Sequence, residues 1–204
     1  MELKIENRIP NAKVTVDKND SGVVSIVISE EAAEQPKRIL GDVKQGEVIT
    51  LGDRKYIVLG HGADTTAIFA AENFRTMEFG QSADYRESDV RKYCNDEVYK
   101  ELAAVVGAEN IISHTVKLMA DDGTFKGVSC KDNISILTTD LYRRYREFIP
   151  EPDESFWTAT RVSEKAYARF VCFVGSNGFL SWRGCDYSDA VRPFCILNSS
   201  LSIS

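Results

Sequence analysis

No apolar run in this 204-residue chain approaches the ~20 residues that a membrane span requires. Such runs, Ala103 to Val106 and Phe170 to Val174 among them, are short, so membrane insertion is not expected. Basic excess is missing too. Lysine and arginine number 25 against 31 aspartates and glutamates, a formal net charge of -6, which argues against a broad cationic face for nucleic-acid phosphates. Histidine is scarce, with only His61 and His114, and neither lies near a cysteine pair. The cysteines (Cys94, Cys130, Cys172, Cys185 and Cys195) are odd in number and contain no Cys-x-x-Cys. A zinc site wants paired, closely spaced ligands, so no metal is expected. Gly-x-Ser-x-Gly and a phosphate-cradling glycine loop are both absent, and no cofactor is expected. The opening MELKIENRIP has neither the basic start nor the apolar stretch of a secretory signal. Cytoplasmic synthesis is the expectation.

What is present suits a globular protein. Hydrophobic residues make up 43% and charged residues 27%, which excludes collagen-like and wholly disordered classes. Such a length suits one domain with a short appendage. The predicted appendage is residues 1–38. Lys13 to Asp17 alternate, Val23 to Ile28 is rich in β-branched residues, and a Lys-Asn-Asp-Ser-Gly turn cluster separates them. A linker follows over Glu30 to Pro36. A lone two-stranded ribbon is marginal in water, so it packs either on its own domain or on another chain, as a homo-oligomerising arm.

Residues 39–204 form the predicted main domain. Glu47 to Leu51, Lys55 to Leu59 and Thr66 to Ala70 read as three antiparallel strands, with His61 in a glycine turn. Ser88 and Asp89 cap a short helix carrying Val90, Tyr93 and Cys94. Asn95 and Asp96 cap a second, which runs along Val98, Leu102, Val105 and Val106 and stops at Gly107. His114 falls in a strand as a structural residue. Asp140 caps a third short helix that Pro150 and Pro152 end. On it, Arg143, Arg144 and Arg146 read as a solvated, charge-balanced face. Phe156 to Thr160, Tyr167 to Val174, Phe179 to Arg183 and Pro193 to Leu197 are the last strands, with a hairpin turn at Gly175 to Gly178. Both faces of the Tyr167 to Val174 strand are apolar, so alternation does not select its core face. Strands, helices, loops and strands in that order argue for an α+β fold with a mixed or antiparallel sheet.

Three segments carry a resemblance: Ser88 to Tyr93 with Asn95, Trp157 to Arg161, and Val191 to Leu197 after the hairpin. Their order resembles that of an uncharacterised domain family of Firmicutes and their prophages with a C-type-lectin-like fold. That family is similar to the variable proteins of diversity-generating retroelements and to the formylglycine-generating-enzyme group. The resemblance covers residues 39–204. It implies two helices flanking a small sheet, with Trp157 and the Val191 to Leu197 strand as framework and a ligand-binding surface in Arg161 to Asp189. The surface residues it points to are Arg161, Tyr167, Arg169, Phe179, Ser181, Trp182, Arg183, Asp186 and Tyr187. Tryptophan, tyrosine and arginine are favoured at binding hot spots.

The expectation is a non-enzymatic, adhesin-type module, a diversified retroelement protein of a prophage, that binds a protein or glycan on a host or cell surface and is carried on a virion or cell surface. One alternative is a formylglycine-generating-type cysteine enzyme, for which only Cys185 looks exposed. The other is a structural virion component docked by the first 38 residues. Glu151-Pro152-Asp153 superficially matches the acidic-proline motif of calcium-dependent lectins, but no second acidic cluster follows it in order, and a helix-ending turn explains it better.

Overall fold

The computed structural model describes residues 12–18, 24–30 and 38–203, which fall into two units. In the first, β1 (Ala12–Lys18) and β2 (Val24–Glu30) pair antiparallel with Val16 opposite Ile26. This is the ribbon that the alternation predicts. The turn between its strands and the linker beyond Glu30 lie outside the described residues.

The second unit, Arg38–Ile203, is α+β and mostly strand. In chain order come β3 (Arg38–Ile39), β4 (Val48–Leu51), β5 (Arg54–His61), β6 (Thr65–Ala70) and β7 (Arg75–Glu78). Then α1 (Asp89–Tyr93) leads through a π turn (Cys94–Val98) into α2 (Tyr99–Val106). Next are β8 (Ile111–Ile112), β9 (His114–Lys117), β10 (Ser129–Asp132), β11 (Ile134–Ile136) and α3 (Thr139–Tyr145). The chain ends with β12 (Phe156–Arg161), β13 (Phe170–Val174), β14 (Leu180–Gly184), β15 (Ser188–Val191), β16 (Pro193–Asn198) and β17 (Ser202–Ile203). One sheet runs β11-β16-β6-β5-β4, with β8 also on β16, and the other runs β14-β13-β12-β15-β7. The second sheet is mixed, because β12 and β15 meet in parallel at Phe156 and Ala190.

Alternation along the central strands feeds two cores. On β5, Tyr56 and Val58 enter the larger core while Ile57 and Leu59 enter the smaller. The same split divides Ile68 from Phe69 on β6, Trp157 from Phe156 on β12, and Cys195 from Phe194 on β16. The helical run seals the larger core with Val90, Tyr93, Cys94, Val98 and Leu102, and Tyr142 of α3 joins the smaller. Strands buried on both faces read as continuous apolar runs. This is why sequence alternation could not choose a face for β13: Val171 and Phe173 lie in one core and Val174 in the other.

The helices differ from expectation. Ser88 caps α1 by accepting from the Arg91 amide, as predicted, but Asn95 and Asp96 cap nothing. The helix passes straight through them in a π turn. Asn95 instead bridges two elements. Its Nδ2 donates to the carbonyls of Arg91 (3.1 Å) and Ile134 (2.9 Å), and its Oδ1 accepts from the amides of Asn133 and Ile134. One turn earlier, Arg91 reaches the buried Asp132 at 2.7 Å. Together they fasten the helical run to the β10–β11 segment. Gly107 ends the run at φ 83, a left-handed conformation that glycine adopts without strain. Thr138, not Asp140, caps α3. His61 belongs to the end of β5 rather than to a turn, its ring bridging the Val43 carbonyl and the Thr66 hydroxyl. Tyr167 precedes β13 in a 3-10 turn, so that strand starts only at Phe170.

Candidate functional site

The β13–β14 hairpin is anchored from behind. At its turn Gly178 has φ 73, and its carbonyl accepts a 2.9 Å hydrogen bond from the Tyr142 hydroxyl. Arg146 donates to the same carbonyl and to the Tyr142 oxygen. A Cβ on residue 178 would collide with that guanidinium. Arg146, exposed as a solvated face requires, therefore also ties α3 to the hairpin. Arg143 fits the solvated reading, in an exposed pair with Asp140 at 3.2 Å.

Register separates the hairpin's two faces. Cys172 lies opposite Trp182, and Phe173 opposite Ser181. On one face Trp182 meets Tyr167 (ring centroids 4.8 Å apart) and Phe170 (5.3 Å), and Tyr167 meets Phe170 edge-on at 5.2 Å. Trp182 keeps 44% of its surface exposed within this aromatic group. On the other face Arg183 lies 3.7 Å over the Phe173 ring and pairs with Asp189 at 3.2 Å. Phe179, 48% exposed, stands beside Phe173.

The expected surface residues therefore do not converge on one pocket. Tyr167 and Trp182 share the aromatic face. Phe179 and Arg183 line a cleft of about 510 Å³ on the opposite side, with Ser181 projecting to that side as well. Arg161, at the end of β12, lines a separate pocket of about 180 Å³ with Tyr85 and Ala120. Arg169 is exposed just before β13, and its carbonyl accepts from the Cys185 amide. Asp186 and Tyr187 sit on the β14–β15 turn, Tyr187 61% exposed.

Three residues went unnoticed in the sequence. Phe170 completes the aromatic group, and the hairpin pairing could have revealed it. Ser155 and Asp189 sit in the second cleft. The one available signal was an aspartate inside the short Ser188–Val191 run, which otherwise ends in apolar residues. Asp189 is only 3% exposed. Its Oδ1 accepts from the Ser155 hydroxyl and from Arg183, while its Oδ2 has no partner. Burial raises the proton affinity of this carboxyl, against the opposing pull of Ser155 and Arg183.

Cysteine chemistry finds no accessible thiol at this end of the chain. Cys185, expected to be exposed, is fully buried in the larger core, and its carbonyl accepts from the amides of Phe79 and Gly80, which fixes the strand end there. Burial pushes the thiols of Cys94, Cys185 and Cys195 up, that of Cys172 to about 12 and that of Cys130 to about 11. All five are free. Among the described residues no group of three or more His, Cys, Asp or Glu side chains is placed to hold a metal ion, and no helix is long and apolar enough to cross a membrane.

Searches of family models, curated proteins and solved structures return no match to this chain.

Proposed function

We propose that this chain is a non-enzymatic binding module with a C-type-lectin-like main domain, whose C-terminal hairpin grips a protein or glycan on a host or cell surface. In this reading it is of the kind that diversity-generating retroelements vary, encoded in a prophage and carried on a virion. The observation that carries the reading is the Tyr167–Phe170–Trp182 aromatic group, with Trp182 exposed and Tyr167 and Phe170 partly buried, on a hairpin whose opposite face and turn are fixed by Arg183 and Arg146. A rigid support with exposed aromatics suits recognition, because such side chains give large contact area at low conformational cost. A thiol enzyme needs an accessible, electropositive cysteine, and the buried thiols here favour binding over catalysis.

A labelled array of surface proteins and glycans tests this. Trp182→Ala and Tyr187→Ala are expected to weaken capture about tenfold or more while the melting temperature holds. Undiminished capture by both variants removes this face from consideration. Fast alkylation of one native thiol would instead revive the enzyme alternative.

Assembly through the N-terminal ribbon is a second proposal. Val16 (53% exposed) and Ile26 (42%) stand opposite each other on a two-stranded ribbon, a form that needs a further packing partner for stability.

A further inference from the structure

We propose that the cleft between the Tyr85–Glu87 turn, the end of β12 and the β9–β10 hairpin binds a small organic anion, an apolar body the size of a single ring bearing a carboxylate, with Arg161 as its charged partner. The walls come from three distant parts of the chain, and hydrogen bonds fix them. The Asp121 amide donates to the Arg161 carbonyl at 3.1 Å, and the Asp121 carboxylate accepts from the Ser163 amide at 2.7 Å. These two bonds tie the tip of the β9–β10 hairpin to the end of β12. The floor is apolar and recessed. Ala83, Tyr85, Ala120 and Ala159 are buried there, and at three of those positions the side chain stops at Cβ. The cavity measures about 180 Å³, below the ~300–1,000 Å³ of sites for drug-sized ligands. It has room for a ring or a short branched chain, and not for an oligosaccharide.

Charge at the mouth selects an anion. Arg161 and Lys126 are exposed on the lining and form no ion pair among the described residues. The two carboxylates of the lining are engaged in their own turns. Asp84 accepts from Arg86 Nε at 3.0 Å, and Asp122 from the Thr124 amide at 2.8 Å. Arg86 holds the Asp84 carboxyl below the usual carboxylate range, and Arg161 adds to that pull from the β12 side, so its charge is felt within the cleft. Arg86, Lys126 and Arg161 outnumber Asp84 and Asp122 by one, the surplus that a monoanion neutralises. A guanidinium fork matches a carboxylate, while the alanine floor takes the apolar body out of water.

The inference stands apart from the hairpin reading, because the cleft shares no residue with the Tyr167–Phe170–Trp182 group. The test uses the full chain, labelled with nitrogen-15, and follows the amide shifts of residues 84–86, 118–126 and 159–163. Benzoate is the probe; benzamide lacks its charge and acetate lacks its ring. Saturable shifts with benzoate are expected, with benzamide and acetate each weaker by about tenfold or more. The Arg161 side chain makes no hydrogen bond among the described residues, so Arg161→Gln is expected to keep the melting temperature and weaken benzoate by about fivefold or more. Lys126→Gln, on the hairpin wall, is expected to weaken it severalfold. Trp182→Ala is expected to leave benzoate binding unchanged. No saturable shifts with benzoate, benzamide or acetate binding as tightly as benzoate, or unaltered affinity in both charge variants would overturn the inference.

Discussion

Arg192 shows how a single side chain can hold two layers together. It is 3% exposed and has no carboxylate partner among the described residues. Its guanidinium lies 4.5 Å from the Phe69 ring centroid and 5.0 Å from that of Phe156, and donates to the carbonyls of Ala70 and Ala71. Desolvation lowers its pKa to about 10, which still leaves it charged at neutral pH. Lysine cannot supply a planar fork that stacks and donates at once. Arg192→Lys is therefore expected to cost about 1–3 kcal/mol, read as a lower urea midpoint with an unchanged slope. His114 gives a pH signature at the same scale. Burial lowers its pKa, so the folded chain holds it neutral while the unfolded chain takes a proton near the ordinary value. The stability this supports is present above that value and is lost as pH falls through it. The urea midpoint is expected to drop between about pH 7.5 and 5.5, with a shallower drop in His114→Gln.

At the scale of elements, the π turn is where the helical run depends on its neighbours. Asn95 lies in it and donates to the Arg91 carbonyl, which also accepts from the Cys94 amide, while its Oδ1 closes the amides of Asn133 and Ile134. Asn95→Ala is expected to lower stability by about 2 kcal/mol or more, with the amide protons of residues 133 and 134 exchanging faster. Asn95→Asp keeps the acceptor and loses both donors, so it is expected to recover only part of that protection. The Asn95 and Asp96 pair looked like a helix cap because cap residues and π-turn residues share the same short polar side chains. Only the position of Ile134, remote in sequence, tells the two apart. Tyr142 and Arg146 repeat the pattern at the hairpin. Their sequence context reads as a charged helix face, and their real partner is a carbonyl more than thirty residues away.

For the whole molecule, the two units make separate predictions. The second unit contains both cores and both large sheets, so residues 38–204 alone are expected to melt as cooperatively as the full chain. If the ribbon serves assembly, light scattering will find the full chain as an oligomer and the shorter one as a monomer. Identical masses per particle would end the arm proposal.

Much of this architecture is determined locally. The ribbon, strands β4, β5 and β6, the Ser88 cap, the Gly107 stop and the Asn177-Gly178 hairpin follow from side-chain period and turn chemistry, which act over a few residues. The candidate site divides differently. Trp182, Tyr187 and Phe179 could be named as exposed aromatics of one hairpin, but their separation onto two faces depends on the register of β13 against β14. Strands Arg75–Glu78 and Ser188–Val191 have no strong β signal of their own and become strands by pairing with each other. The burial of Cys185 and the unpaired oxygen of Asp189 are likewise invisible to any local pattern. Burial and hydrogen-bond satisfaction are set by groups brought together from distant parts of the chain, and only the tertiary fold decides which groups those are.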